Sequence, residues 1–99
     1  MQLSEKQKRH LRGLGHSLKP VVMMGNAGLT EAVFAELSRA LDDHELIKVR
    51  VRFGDRKVRD EAIARLCAES GAMLIKRIGN IALVYRPNPE KQTIVLPRP

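Results

Sequence analysis

Two glycines three residues apart, Gly25 and Gly28, interrupt the stretch V-V-M-M-G-N-A-G-L-T between an apolar run and a helix start. A strand-to-helix corner of this kind turns backbone N–H groups outward with no side chain in the way. It sets them beside the positive end of a helix dipole, which suits an anion and most often a phosphate. Glycine there permits positive φ and lets another backbone come close. The nucleotide-enzyme versions of such a loop require more. A dinucleotide fingerprint needs a third glycine and an acidic residue at the end of the next strand, whereas that strand ends here in Arg52-Phe53. A Walker loop needs Lys and then Ser or Thr after its last glycine, and Leu29-Thr30 stand there instead.

Charge narrows the anion to a polymer. Eighteen Lys and Arg oppose eleven Asp and Glu, a formal balance of +7, with a pI near 10.2. RNA, DNA or an anionic surface is the natural partner of such a chain. Lys6, Lys8, Arg9, Arg12 and Lys19 precede the loop, and Glu5 is the one carboxylate before Glu31. Glu5 stands at helical spacing from Lys8 and Arg9, which offsets little of that charge. Lys48, Arg50 and Arg52 alternate with apolar residues further on. The expected RNA contacts are therefore Gly25, Asn26, Ala27, Gly28 and Thr30 at the corner, flanked by Lys6, Lys8, Arg9, Arg12 and Lys19. Lys48, Arg50 and Arg52 join them as weaker candidates, since a wet sheet face also accounts for them. Phe34, Phe53 and Tyr85 are the only aromatics, and the first two fall at core-facing positions. A base-stacking platform needs exposed aromatics, so recognition is expected to rest on phosphates, sugars and helical shape.

Catalytic chemistry finds little support. His10, His16 and His44 lack metal-ligand spacing with one another or with nearby carboxylates. Cys67, the single cysteine, excludes an internal disulfide and a cysteine zinc site, and its helical phase marks core packing. Asp42, Asp43 and Glu45 cluster where a helix ends, a place where loops are commonly acidic. The expectation is a binding protein with no cofactor and no metal. The competing classes are a basic module for an acidic protein partner and, more remotely, a nucleotide-binding enzyme. M-Q-L-S-E-K-Q-K carries no apolar signal core, and no apolar run reaches membrane-spanning length. With one cysteine, the cytoplasm is the expected compartment.

The elements that must position these residues follow from spacing. Ser4 caps a first helix with Gln7 completing a capping box; Leu3, Gln7, Leu11 and Leu14 form its stripe, and Gly13 and Gly15 end it. Pro20 opens the run Val21 to Met24, short enough to be a strand covered on both faces. Thr30 caps a second helix with Val33, Phe34, Leu37, Ala40 and Leu41 inward, broken at Asp42, Asp43 and His44. Ile47, Val49, Val51 and Phe53 alternate with Lys48, Arg50 and Arg52, a strand with one buried and one cationic face. A third helix follows Gly54-Asp55, with Val58, Ala62, Ile63, Leu66 and Cys67 inward and Gly71 as its cap. Met73 to Ile78 and Ile81 to Tyr85 flank Gly79-Asn80, a tight hairpin. Pro87, Pro89, Pro97 and Pro99 then argue against a central strand, leaving a Pro-rich tail over 87–99 or a short edge strand at Gln92 to Leu96. The fold class is α/β: a single two-layer domain in α-β-α-β-α-β-β order on a four-stranded mixed sheet, with one sheet face incompletely covered.

The stretches L-S-E-K-Q-K-R-H-L-R-G-L, L-K-P-V-V-M-M-G-N-A-G-L-T-E-A-V, H-E-L-I-K-V-R-V and I-G-N-I-A-L-V-Y-R-P together span nearly the whole chain. In order and spacing they resemble the bacterial YhbY-type proteins that carry a CRM domain, the chloroplast RNA splicing and ribosome maturation module. The resemblance implies a fold similar to the C-terminal domain of translation initiation factor three, occupying residues 1–86. It also implies RNA binding without catalysis, with the family's G-x-x-G loop falling on Gly25, Asn26, Ala27 and Gly28. Bacterial members are associated with large ribosomal subunit precursors, which makes a monomeric assembly factor docking on ribosomal RNA the implied role. Where family loops carry a more basic or polar pair, this chain has Asn26-Ala27, so contact falls to backbone N–H groups and the Asn26 amide.

Overall fold

Alternation and capping translate directly into elements in the computed structural model, which describes residues 2–99. Helix α1 spans Glu5–Gly15, and its capping box forms as the spacing requires: Gln7 N–H donates to Ser4 Oγ and Ser4 N–H to Gln7 Oε1, both at 3.0 Å. The helix runs through Gly13 rather than stopping there. Strand β1 (Pro20–Met24) leads to α2 (Glu31–His44), β2 (Leu46–Val51), α3 (Arg56–Ser70), β3 (Met73–Ile78) and β4 (Ile81–Tyr85). Helix α2 continues past Asp42 and Asp43 to His44, because those carboxylates sit on its exposed side and do not interrupt its hydrogen bonds.

The sheet order is β1-β2-β4-β3. β1 and β2 are parallel across the α2 connection, while β4 inserts antiparallel between β2 and β3 through the Gly79-Asn80 hairpin. Val22, Met24, Ile47, Val49, Val51, Ala82 and Val84 face α2 and α3, meeting Leu37, Leu41, Ile63 and Leu66 in the main core. Burying side chains of this size stabilises a fold by roughly 1.5–3 kcal/mol each. The opposite face is partly covered by α1, whose Leu11 joins Leu46, Ile75, Leu83 and Tyr85 in a second, smaller cluster. Gly15 sets how closely α1 approaches: a Cβ there would lie 2.5 Å from Leu83 Cδ2.

Three packing expectations are corrected. β1 is not covered on both faces; it is an edge strand with Val21 50% and Met23 52% exposed, since the residues that α1 packs onto, Leu46, Ile75, Leu83 and Tyr85, lie on β2, β3 and β4. Val58 is exposed at the first turn of α3, ahead of the helix's contact with the sheet. Phe34 is half-buried and belongs to neither cluster, whereas Phe53 packs against the main core and Tyr85, only 2% exposed, lies inside the second.

Residues 86–99 contain no strand, yet they are fastened. Glu45, 1% exposed, accepts N–H groups from Asn88 at Oε2 (2.6 Å) and from Thr93 (2.8 Å) and Ile94 (2.7 Å) at Oε1. Gln7 Nε2 donates to Pro97 O at 3.0 Å, and Ile94 and Leu96 pack onto the second cluster. Glu45 follows α2 at φ 63°, a conformation that favours glycine. Its retention of a side chain there is accounted for by the three bonds to the strap.

Candidate nucleic-acid interface

The glycine corner forms at the end of the sheet where β1 and β2 terminate, tied to the latter by Arg52 N–H donating to Met24 O at 2.9 Å. Gly28 N–H donates to Gly25 O at 2.9 Å, closing a tight turn over Asn26 and Ala27. The two glycines serve different ends. Gly28 sits at φ 76°, where any side chain is strained, while Gly25 keeps an ordinary φ and has open space where a Cβ would be. Nothing within the protein requires glycine at position 25. Its absence of a side chain exposes the backbone to whatever approaches from outside.

The outward-facing donors differ from the simple corner. Gly28 N–H is consumed by the turn and Val33 N–H by the Thr30 cap at 3.2 Å. Among the described residues, the N–H groups of Asn26, Ala27 and Leu29 make no hydrogen bond within the protein. Thr30 acts through its cap and not as a free hydroxyl, and Glu31 already places a carboxylate in the first turn of α2. The donors this corner leaves open are thus the turn's own N–H groups and the exposed Asn26 amide, more than the helix dipole.

The cations are strongly segregated. Lys6, Lys8, Arg9 and Arg12 on α1, Lys19 before β1, Lys48, Arg50 and Arg52 along or just past β2, and Lys76 on β3 make nine positive side chains with Glu5 as the single carboxylate. Helices α2 and α3 with their cap residues carry nine carboxylates against five Lys and Arg. Pairing follows the same division. On the helix layer Arg65 meets Glu69 and Arg77 meets Asp60, each at 2.7 Å, and Arg86 meets Asp42 at 2.8 Å. Of the nine cations on the other side, only Lys8 has a carboxylate within 4.0 Å among the described residues, at 4.0 Å from Glu5. That exposed, long contact is worth little.

Lys76 and His16 escaped the sequence reading. Strict alternation puts Lys76 with Leu74 on the α3 side, but an irregularity after Leu74 places Ile75 and Lys76 together opposite one stretch of β4. Lys76 thereby comes to face Leu83, in a shallow cleft shared with Arg12, His16 and Lys48. No sequence signal marks that bulge. Thr30 and Lys6 lie apart from this cleft, on the cap of α2 and on the outer side of α1.

Among the described residues no group of three or more His, Cys, Asp or Glu side chains is arranged to hold a metal ion, and no helix is long and apolar enough to cross a membrane. Burial pushes the Cys67 thiol up, away from the reactive thiolate.

The CRS1/YhbY (CRM) domain model matches residues 3–86. The chain belongs to the CRM-domain family. An RNA-binding protein of Haemophilus influenzae is 49% identical over 96 residues, covering 97% of this chain and 96% of its own length. A relative from Pseudomonas aeruginosa named as a probable RNA-binding protein is 49% identical over 90 residues, or 91% and 86% of the two chains. A solved structure from Staphylococcus aureus matches with a TM-score of 0.82 at 32% identity, covering 97% of this chain and all of that one. The match shows that the three-helix, four-stranded arrangement described above is a fold this chain shares with that protein.

Proposed function

We propose that this CRM-domain chain is a non-catalytic protein that binds structured RNA as a monomer, docking on ribosomal RNA in large-subunit precursors. One observation carries the reading: the cations of α1, β2 and β3 gather on one side of the sheet with Lys8 alone near a carboxylate among the described residues, the glycine turn lying at the end of that sheet, while α2 and α3 carry more carboxylates than cations. A soluble protein with no polyanion to meet gains nothing from that separation. The names of the two bacterial relatives support RNA as the polyanion, and the family resemblance drawn from the sequence supports the ribosomal precursor. Gly25 to Gly28 bring backbone N–H groups against a phosphate; Arg9, Arg12, Lys19, Lys48, Arg50 and Arg52 supply attraction and flanking contacts. Lys6 and Lys8 extend the field along α1. With all three aromatics wholly or partly buried, shape and backbone dominate recognition.

The test places Asp at both Asn26 and Ala27. Both residues are exposed at the turn, so the fold tolerates the change, while two carboxylates meet the phosphate. The expected outcome is loss of RNA binding with a melting temperature close to that of the unaltered protein. Unchanged RNA affinity refutes the loop's role, and retention of an acidic protein in place of RNA on purification refutes the RNA reading.

A further inference from the structure

The sheet face under α1 is only partly roofed. Leu11 and Gly15 seat the helix over Leu46, Leu83 and Tyr85, at the end where β2 begins. Toward the other end, where β1 and β2 run out beside the glycine turn, Met23, Ile78 and Ile81 share the same face, and Met23 is 52% and Ile78 59% exposed. Lys48, Arg50 and Lys76 stand among them. Lys48 faces Leu83 from one side of β4 and Lys76 faces it from the other, about 10 Å apart by the spacing of two strand intervals. Lys48 Nζ donates to Leu18 O at 2.9 Å, which holds the ammonium over the face with protons to spare. Arg50 Nε is buried without a partner among the described residues.

A duplex backbone lying across this surface would satisfy the cations and leave the methyl groups wet. Unstacked nucleotides satisfy both. Base and ribose faces cover aliphatic surface, guanidinium planes stack on bases, and phosphates meet the ammonium groups. We propose that the open end of the sheet binds unpaired RNA nucleotides, a single-stranded segment leaving the helical RNA held at the glycine turn. The inference rests on the RNA-binding reading above and extends it along the sheet, from the flanking Lys48 and Arg50 toward Lys76 and Ile78, to a different form of RNA. Charge complementarity selects the occupant, because among the described residues no carboxylate lies within 4.0 Å of these three cations. Continuity with the glycine turn, through Arg52 N–H to Met24 O and Arg52 Nη1 to Met23 Sδ, selects the direction of travel.

The experiment compares two probes, a closed RNA hairpin and the same hairpin with a 3′ oligouridine tail. The tail is expected to tighten binding to the unaltered protein by about tenfold. An Ile78→Gln, Ile81→Gln double variant, which removes apolar surface and no charge, is expected to lose that gain and to bind the plain hairpin within about twofold of the unaltered protein. Met23→Gln, on a different strand, gives the same result independently should the double variant fold poorly. The proposal is overturned by a tail that adds nothing, by a gain that survives both variants, or by polyglutamate displacing the tail as well as free oligouridine does. A protein that binds the tail and ignores the hairpin would refute duplex binding at the glycine turn and uphold this proposal. Hairpin binding without a tail effect would do the reverse.

Discussion

Replacing Glu45 by Gln tests whether one buried carboxylate holds the C-terminal strap. The change keeps the shape and the positive φ of 63°, so it isolates the charge and one acceptor. An amide oxygen can still serve Thr93 and Ile94, but the amide nitrogen then faces Asn88 N–H, donor against donor. A hydrogen bond to a charged group contributes about 1.5–3 kcal/mol. Losing one and weakening two sets the expected cost at about 2–3 kcal/mol, or roughly 10–20 °C in Tm for a domain of this size. Burial alone would push the Glu45 carboxyl up, but the N–H groups of Asn88, Ile94 and Thr93 more than offset it and hold it below its ordinary value of 4.5. A depressed folded-state pKa gives stability that is complete above the ordinary value and is lost as pH falls through the lower one. Hydrogen exchange at Asn88, Thr93 and Ile94, referenced to intrinsic rates, should show a strap that loosens on acidification from about pH 4.5 downward. In the Gln variant the strap should be loose at every pH. Equal protection in both proteins at pH 6, or a stability change under about 0.5 kcal/mol, would refute the latch.

The glycines of the turn should separate by mechanism. Gly28→Ala, at φ 76°, should cost about 1 kcal/mol in denaturant titration; Gly25→Ala should leave stability unchanged and lower RNA affinity, and a stable Gly25→Ala with full affinity counts against close approach. Arg12→Ala should lower the log–log salt slope of RNA binding by about 0.9 if it neutralises one duplex phosphate; an unchanged slope returns it to a solvated helix face. Gly15→Ala should cost about 1 kcal/mol net in urea unfolding, the crowding of Leu83 exceeding what alanine gains in a helix, and a more stable variant would mean that Leu83 turns aside and glycine does not set the approach of α1.

The architecture was legible wherever a local rule controlled it. Ser4 and Gln7, Thr30, and Gly71 at φ 77° cap as their chemistry dictates, and Gly79-Asn80 closes the hairpin. The alternation of β2 announced a sheet face without complete cover. Missing from the sequence was whatever depends on the lateral arrangement of elements. A four-residue apolar run reads alike in a central or an edge strand, so the exposure of Val21 and Met23 was hidden. Lys76 moved to the open face through a bulge that leaves no compositional mark. Glu45 read as one of several helix-end acids because its partners lie more than forty residues away. At the candidate interface the cations of α1 and β2 were visible as a charge pattern, whereas the different duties of Gly25 and Gly28 required the backbone geometry.

The separation of charge between the two layers makes the molecule an electric dipole. In the field of a polyanion it is turned before it touches, basic side foremost, and this orientation raises the rate of productive encounter at low ionic strength. The same asymmetry governs what happens afterwards. With α1 and the open sheet against RNA, the surface left outward is the acidic α2–α3 layer, which repels a second strand. On the proposed RNA-binding reading, the protein is expected to coat one RNA surface and not to cross-link two.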